Sequence, residues 1–286
     1  MALRTPAEYV ESLRDGRSVY FGGQLVADVT EHPVIARAIR HASVDFELAE
    51  DPELEELAVV DAPGGSYSRY FAEPRSVDDL QARADLIEVA TSRCHTLVPL
   101  VKEIGSDALF ALTRVGRMLD EARGDHERSG RIADYFAHCR DHDLAMSVAQ
   151  TDVKGDRSLG PSRQPNPDSY VRVVDQRADG IVVRGAKVHT SCTPNTNELI
   201  VLPTRAMGVD DSQWAVTIFD DVFVPNERVF VCGETDLAGP LALGFADFHR
   251  FTAISYKQPL VDALVGAGTL MADLNGIARA GHVREK

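Results

Sequence analysis

The order of helix-like and strand-like segments predicts an α+β fold: helices first, strands in the middle, helices again at the end. Three observations predict it. Apolar residues recur at helical spacing through most of the first half. β-rich runs cluster between Tyr170 and Pro225, with Asp179-Gly180 as a hairpin signal between two of them. No Gly-rich dinucleotide fingerprint follows any strand and no phosphate-loop motif is present, which argues against a doubly wound sheet.

Taken in order, Pro6 to Asp15 reads as a short helix with Thr5 as its cap. Glu31 to Ala49 carries helical spacing broken by Pro33, and Pro63-Gly64-Gly65 with Pro74 marks a loop. Ser76 and Asp79 fit a capping box for a long helix with Leu80, Ala84, Ile87 and Thr91 on one face. Ile104-Gly105 interrupts the pattern before Asp107 to Ala122 resumes it, and Ile132 to Ala149 is a further helix. Strands follow over Tyr170–Val174, Ile181–Val188, Glu198–Pro203 and Trp214–Pro225, the last entering a loop near Asp220-Asp221. From Leu241 the chain is helical again, and Leu260 to Ile277 is rich in small residues that permit close helix packing.

The 286 residues, 44% of them apolar, suffice for one large domain or two modest ones with a sizeable core. No stretch approaches a membrane helix, and Met1 to Arg14 is polar and mixed in charge, so the expected location is cytoplasmic with no membrane partner. Acidic residues outnumber basic ones, 44 to 30, for a net charge of −14. That excludes a general nucleic-acid grip, which needs a basic surface. Cys94, Cys139, Cys192 and Cys232 are far apart and lack metal-finger spacing, so reduced buried thiols are expected and no metal.

Three segments carry chemistry. Lys154-Gly155-Asp156-Arg157 sits where helix gives way to strand; Gly155 allows backbone to run close to a ligand, and the two cations suit a phosphate or a ring carbonyl. The plainer alternative is a charged turn. His189-Thr190-Ser191-Cys192-Thr193 ends a strand with hydroxyls that suit a ring edge or, equally, their own backbone. His249-Arg250 with Tyr256-Lys257 offers acid–base groups, against the alternative of a solvated helix start. Asp220, Asp221 and Glu227 read as loop and strand-end charges, without metal-ligand spacing.

Several blocks in order resemble the family of 4-hydroxyphenylacetate 3-hydroxylase, which also contains 4-hydroxybutyryl-CoA dehydratase. They are Pro6 to Arg14 with Asp28-Val29-Thr30-Glu31-His32-Pro33, Thr151 to Ser158, Gly180 to Lys187, Phe219 to Pro225, and Asn275-Gly276 to Lys286. The resemblance runs along essentially the whole chain, and the last block is closer to the dehydratase branch. It implies an acyl-CoA dehydrogenase-like fold with an N-terminal helical domain (1–145), a shortened β-barrel-like middle domain (146–235) and a truncated C-terminal helical region (236–286). It implies FAD, reduced by a separate flavin reductase, in a monooxygenase-type oxidoreductase that hydroxylates a small, aromatic substrate and assembles as a homo-oligomer. By position, Gln150, Thr151, Lys154, Gly155, Asp156 and Arg157 would line the flavin, Thr190 and Ser191 would approach its ring, and His249 and Lys257 are the catalytic candidates.

The dehydratase branch holds an iron–sulfur cluster through three cysteines and a histidine. His249 matches the histidine, but Pro99, Glu103 and Tyr256 stand at the cysteine positions, and such side chains do not replace thiolates. Lys257 matches a basic position of that branch, with Ala253 where a tyrosine is expected. Against the hydroxylases, Ile104 and Ala108 replace an arginine and a tyrosine, and Val148 stands about where a histidine is expected. A barrel segment is missing around Val216-Thr217, and most of the C-terminal bundle is missing after Lys286. Two alternatives therefore stand beside the hydroxylase: a cluster-less relative of the CoA-ester dehydratase or isomerase, and an inactive binding or interaction module.

Overall fold

The computed structural model describes residues 3–124, 126–153, 155–156, 158–202, 216–234 and 237–281. Helix α1 (Pro6–Glu11) starts at the expected Thr5 cap: the Thr5 hydroxyl accepts from Glu8 N at 3.2 Å and the Glu8 carboxylate accepts from Thr5 N at 2.8 Å. Two short strands, β1 (Val19–Phe21) and β2 (Gln24–Val26), form a hairpin. After Pro33 come α2 (Ile35–Ala42), α3 (Val44–Glu47) and α4 (Glu55–Ala58), then the small pair β3 (Val59–Val60) and β4 (Tyr67–Ser68).

Helix α5 (Val77–Arg93) begins with Ser76 Oγ accepting from Asp79 N at 3.1 Å, half of the expected box; the Asp79 carboxylate accepts from Arg75 N at 2.9 Å instead of from Ser76 N. Its buried face is Arg83, Leu86, Ile87, Ala90 and Thr91, so the expected face is rotated and includes an arginine. Helix α6 (Glu103–Arg123) passes through Ile104-Gly105 without interruption. Gly105 is there because a β-carbon would run into Met146 Cβ, so the glycine marks a close contact and not a helix end.

Helix α7 (Glu127–Asp141) is shorter than expected, because Leu144 to Ala149 are buried on every side and Met146–Ala149 forms strand β5. That strand pairs in parallel with β9 (Glu198–Val201). Next come β6 (Thr151–Asp152), β7 (Arg172–Gln176), β8 (Gly180–Val188) and β10 (Val216–Pro225). β10 does not turn into a loop at Asp220-Asp221: it carries a bulge between Phe219 and Val222, where Arg184 holds Asp221 through two bonds of 2.7 and 2.6 Å.

Helix α8 (Ala238–Leu274) is a single run of 37 residues with Pro259 inside it. His249 and Lys257 therefore lie well inside a helix and not at its start. Its first half packs on α5 and α6; Leu241 and Phe245 join the largest core cluster with Leu109, Leu112, Met146 and Ile200. Beyond Pro259 the helix is bare: Leu264, Val265, Leu270, Met271 and Leu274 are exposed. Among the described residues no helix is long and apolar enough to cross a membrane.

Candidate functional site

β8 is the centre of the strand-rich segment. β10 runs antiparallel along one of its edges, from Val216 opposite Val188 to Pro225 opposite Gly180. The other edge takes β7 against Ile181 to Arg184 and then β6, with Thr151 opposite Val188 and Asp152 opposite Lys187. Among the described residues these four strands make an open sheet beside the parallel β5–β9 pair, rather than a closed barrel.

A buried ion pair fixes β6 to β8. Lys187 Nζ lies 2.8 Å from Asp152 Oδ1, both side chains are fully buried, and Nζ also donates to Gln150 O at 3.1 Å. Burial lowers the Lys187 pKa and the Asp152 carboxylate opposes that shift. The pairing brings Gln150 and Thr151 beside the turn His189–Cys192. That turn is constrained: His189 (φ 58°) and Cys192 (φ 66°) are left-handed without being glycine, at about 1–2 kcal/mol each. Thr193 Oγ1 donates to Thr190 O at 2.9 Å and Asn195 N to Cys192 O at 2.8 Å, and these bonds hold the turn.

The side chains of this corner divide into committed and uncommitted groups. Thr190 is fully buried and its hydroxyl is 2.8 Å from that of Thr217. Thr151 and Ser191 are half-buried, and neither hydroxyl is hydrogen-bonded among the described residues. His189 Nδ1 is buried without a hydrogen-bond partner among the described residues. Gln150 is exposed.

The loop after β6 is organised by a residue that sequence reasoning missed. Gln164 is buried; its Oε1 accepts from Asp156 N at 2.9 Å, and its Nε2 donates to Asp156 O at 2.8 Å and Leu159 O at 3.1 Å. A β-carbon on Gly155 would run into the Gln164 amide, so the close approach at Gly155 is made by the protein's own side chain. The Asp156 carboxylate accepts from Ser158 N and Oγ, which pull its pKa down. Lys154 and Arg157 lie outside the described residues.

On α8 the structure gives His249 partners and leaves Lys257 exposed without hydrogen bond or ion pair among the described residues. His249 Nδ1 is 3.3 Å from Asp107 Oδ2 on α6, and its ring stacks on Phe245 with centroids 5.5 Å apart. Asp107 Oδ1 accepts from Arg83 Nη2 at 2.8 Å and from Thr252 Oγ1 at 3.0 Å. On α6, Gly105 lies against Met146 of β5 while Asp107 faces His249 of α8.

Asp45 and Glu103 form a second buried acidic group. Tyr70 Oη donates to Asp45 Oδ1 at 3.1 Å, and Lys102 N donates to Glu103 Oε2 at 3.2 Å. The remaining oxygens, Asp45 Oδ2 and Glu103 Oε1, are buried with no hydrogen-bond partner among the described residues. Burial pushes both pKa values up, and the Glu103 charge adds to the rise at Asp45. Burial also raises the pKa of half-buried Tyr256, with the Glu103 and Asp107 charges adding to it.

Glu103 thus lies beside a second buried carboxyl. Among the described residues no group of His, Cys, Asp and Glu is arranged to hold a metal ion. The cysteines are all free; Cys94 and Cys139 are buried as expected, whereas Cys192 and Cys232 are only partly so because they lie on turns.

The family model described as 4-hydroxyphenylacetate 3-hydroxylase N terminal matches residues 5–217. The chain is 31% identical to 4-hydroxybutyryl-CoA dehydratase/vinylacetyl-CoA-Delta-isomerase of Clostridium aminobutyricum, over 99% of this chain and 67% of that protein. It is 27% identical to the 4-hydroxyphenylacetate 3-monooxygenase oxygenase component of Thermus thermophilus, over 99% of this chain and 66% of that one. An archaeal 4-hydroxybutyryl-CoA dehydratase from N. maritimus superimposes with a TM-score of 0.86 at 27% identity, covering 99% of this chain and 65% of the other. The oxygenase component of 4-hydroxyphenylacetate 3-monooxygenase complexed with FAD does so at 0.83 and 25%, covering 99% and 67%. The fold is therefore the acyl-CoA dehydrogenase-like α+β arrangement, and the chain spans about two thirds of the length of these relatives. On its sequence and its fold alike, this chain belongs to the 4-hydroxyphenylacetate 3-hydroxylase family.

Proposed function

We propose that the chain is part of a flavin-dependent oxygenase that hydroxylates a small, aromatic substrate and takes reduced FAD from a separate reductase. The observation that carries this reading is the β6–β8 corner. Thr151 Oγ1, Ser191 Oγ and His189 Nδ1 are uncommitted among the described residues and adjoin one turn. Such a mixed donor and acceptor set fits the pyrimidine edge of a flavin, which alternates acceptors with an N–H donor. Several relatives are named as monooxygenases, among them the Thermus oxygenase component and a 4-nitrophenol 4-monooxygenase component from Rhodococcus opacus.

In this reading Gln150, Thr151, Gly155, Asp156, Thr190 and Ser191, with Lys154 and Arg157, hold the FAD. Bound there, FAD supplies two-electron chemistry with oxygen. The Lys187–Asp152 pair fixes the strand that carries Thr151, and Gln164 fixes the loop that follows. His249 accepts or returns a proton, with Lys257 as the second candidate. The division into 1–145, 146–235 and 236–286 belongs to the same reading, as does assembly into an oligomer, which the bare apolar turns of α8 support.

The test is anaerobic titration of the purified protein with oxidised and with dithionite-reduced FAD, followed by absorbance and fluorescence. Saturable binding, tighter for the reduced form, is expected. A folded protein that binds neither form would rule the reading out. The dehydratase identity of 31% and the retained His249 favour a second reading, a cluster-less CoA-ester dehydratase or isomerase. Turnover of a hydroxyacyl-CoA without oxygen would select it.

A further inference from the structure

We propose that Asp107 is the positioning residue of the site: it holds the proton of His249 on Nδ1 and so presents Nε2 as a proton acceptor. This rests on the reading of His249 as the proton-handling group. Asp107 is completely buried, whereas the His249 side chain is 27% exposed, so one end of the pair is fixed in the core and the other opens outward.

Both carboxylate oxygens are in use. Oδ1 takes Arg83 Nη2 and Thr252 Oγ1, at 2.8 and 3.0 Å, which leaves Oδ2 to face His249 Nδ1 at 3.3 Å. Arg83 is itself locked, with Nη1 donating to Tyr70 O at 3.0 Å and Nη2 to Ser106 Oγ at 2.9 Å. Its guanidinium balances the Asp107 charge, so no imidazolium is needed for neutrality. A carboxylate oxygen only accepts; the imidazole nitrogen facing it must therefore be the N–H. His249 Nε2 has no hydrogen-bond partner among the described residues. Thr252 sits one turn after His249 on α8, so the same helix supplies the ring and one of the bonds that orients its partner. The Phe245 ring stacks on the imidazole with an interplanar angle of 5°.

The experiment uses the whole chain labelled with ¹⁵N-histidine, without flavin or substrate. Long-range ¹H–¹⁵N spectra are recorded at a pH where imidazole is neutral, and His249→Gln assigns the signal. Wild-type His249 is expected as the Nδ1–H tautomer, the reverse of the form free histidine prefers. In Asp107→Asn the amide oxygen can keep Arg83 and Thr252 while its NH₂ faces the ring, so the tautomer should switch to Nε2–H. A wild-type His249 protonated on Nε2 overturns the proposal, as does a folded Asp107→Asn protein with an unchanged tautomer. If Asp107→Asn does not fold, the wild-type spectrum alone decides. Failure to bind flavin would remove the proposed function but leave this result standing, so the two are tested separately.

Discussion

Replacing Lys187 by methionine keeps most of the side-chain volume and removes the ammonium that faces Asp152. Both side chains are fully buried, and the pair spans only 2.8 Å. Breaking a buried pair by removing one partner costs about 3–5 kcal/mol. At 1.4 kcal/mol per tenfold, that is roughly a hundredfold to a few thousandfold in the folding equilibrium. The loss should be largely recovered in Lys187→Met/Asp152→Leu, because replacing both charges with apolar groups is often neutral or better. Urea unfolding followed by far-UV circular dichroism measures both variants. The flavin titration on the same samples should show weaker binding in the single variant, since β6 carries Thr151. A single variant within about 0.5 kcal/mol of wild type, the range of an ordinary surface change, would refute the reasoning. So would a double variant as unstable as the single one.

The carboxyl pair predicts a pH dependence. Asp45 and Glu103 are both raised by burial above their ordinary values, so their contribution is fully present at pH below the ordinary carboxylate range. It is lost as pH rises through the raised native values. Glu103→Gln keeps the shape without the charge; its urea midpoint should therefore fall less than that of wild type between acid and neutral pH, and parallel curves would refute the raised Glu103 value. Gln164→Ala should loosen the backbone at Asp156 and Leu159 by cutting its bonds to them. At about 1 kcal/mol per net bond, FAD binding should weaken roughly tenfold or more, and a fluorescence titration that finds no change would detach Gln164 from the site.

The helix caps and the β8 strand were legible because their causes are local. Thr5 and the Asp179-Gly180 turn act within a few residues of themselves. Gly105 misled for the opposite reason: its cause is Met146, forty-one positions on, and no local rule distinguishes a helix stop from a glycine that makes room. The Met146–Ala149 strand was hidden in a helical reading because a segment buried on every side has no amphipathic period of either kind. The site residues divide the same way. His249 and Thr151 to Ser158 stood out through their resemblance to a family, whereas Asp45, Arg83 and Asp107 carried no signal and Glu103 only that of standing where the dehydratase branch has a cysteine. Only the fold reveals that all four are buried, with Arg83 paired to Asp107 and the Asp45 and Glu103 carboxyls raised by burial.

The bulge in β10 bears on how the protein stays dispersed. Among the described residues β10 borders no strand but β8, so its outer edge is open, with Val216, Ile218, Val222 and Phe223 exposed along it. A straight ten-residue edge of this kind is a template for joining another sheet. The bulge divides it into two runs of four paired residues, Val216–Phe219 and Val222–Pro225, and places Asp220 and Asp221 between them. An incoming strand would have to break register and approach two carboxylates at that point. The irregular register that sequence reading took for a loop thus acts as a guard against edge-to-edge aggregation.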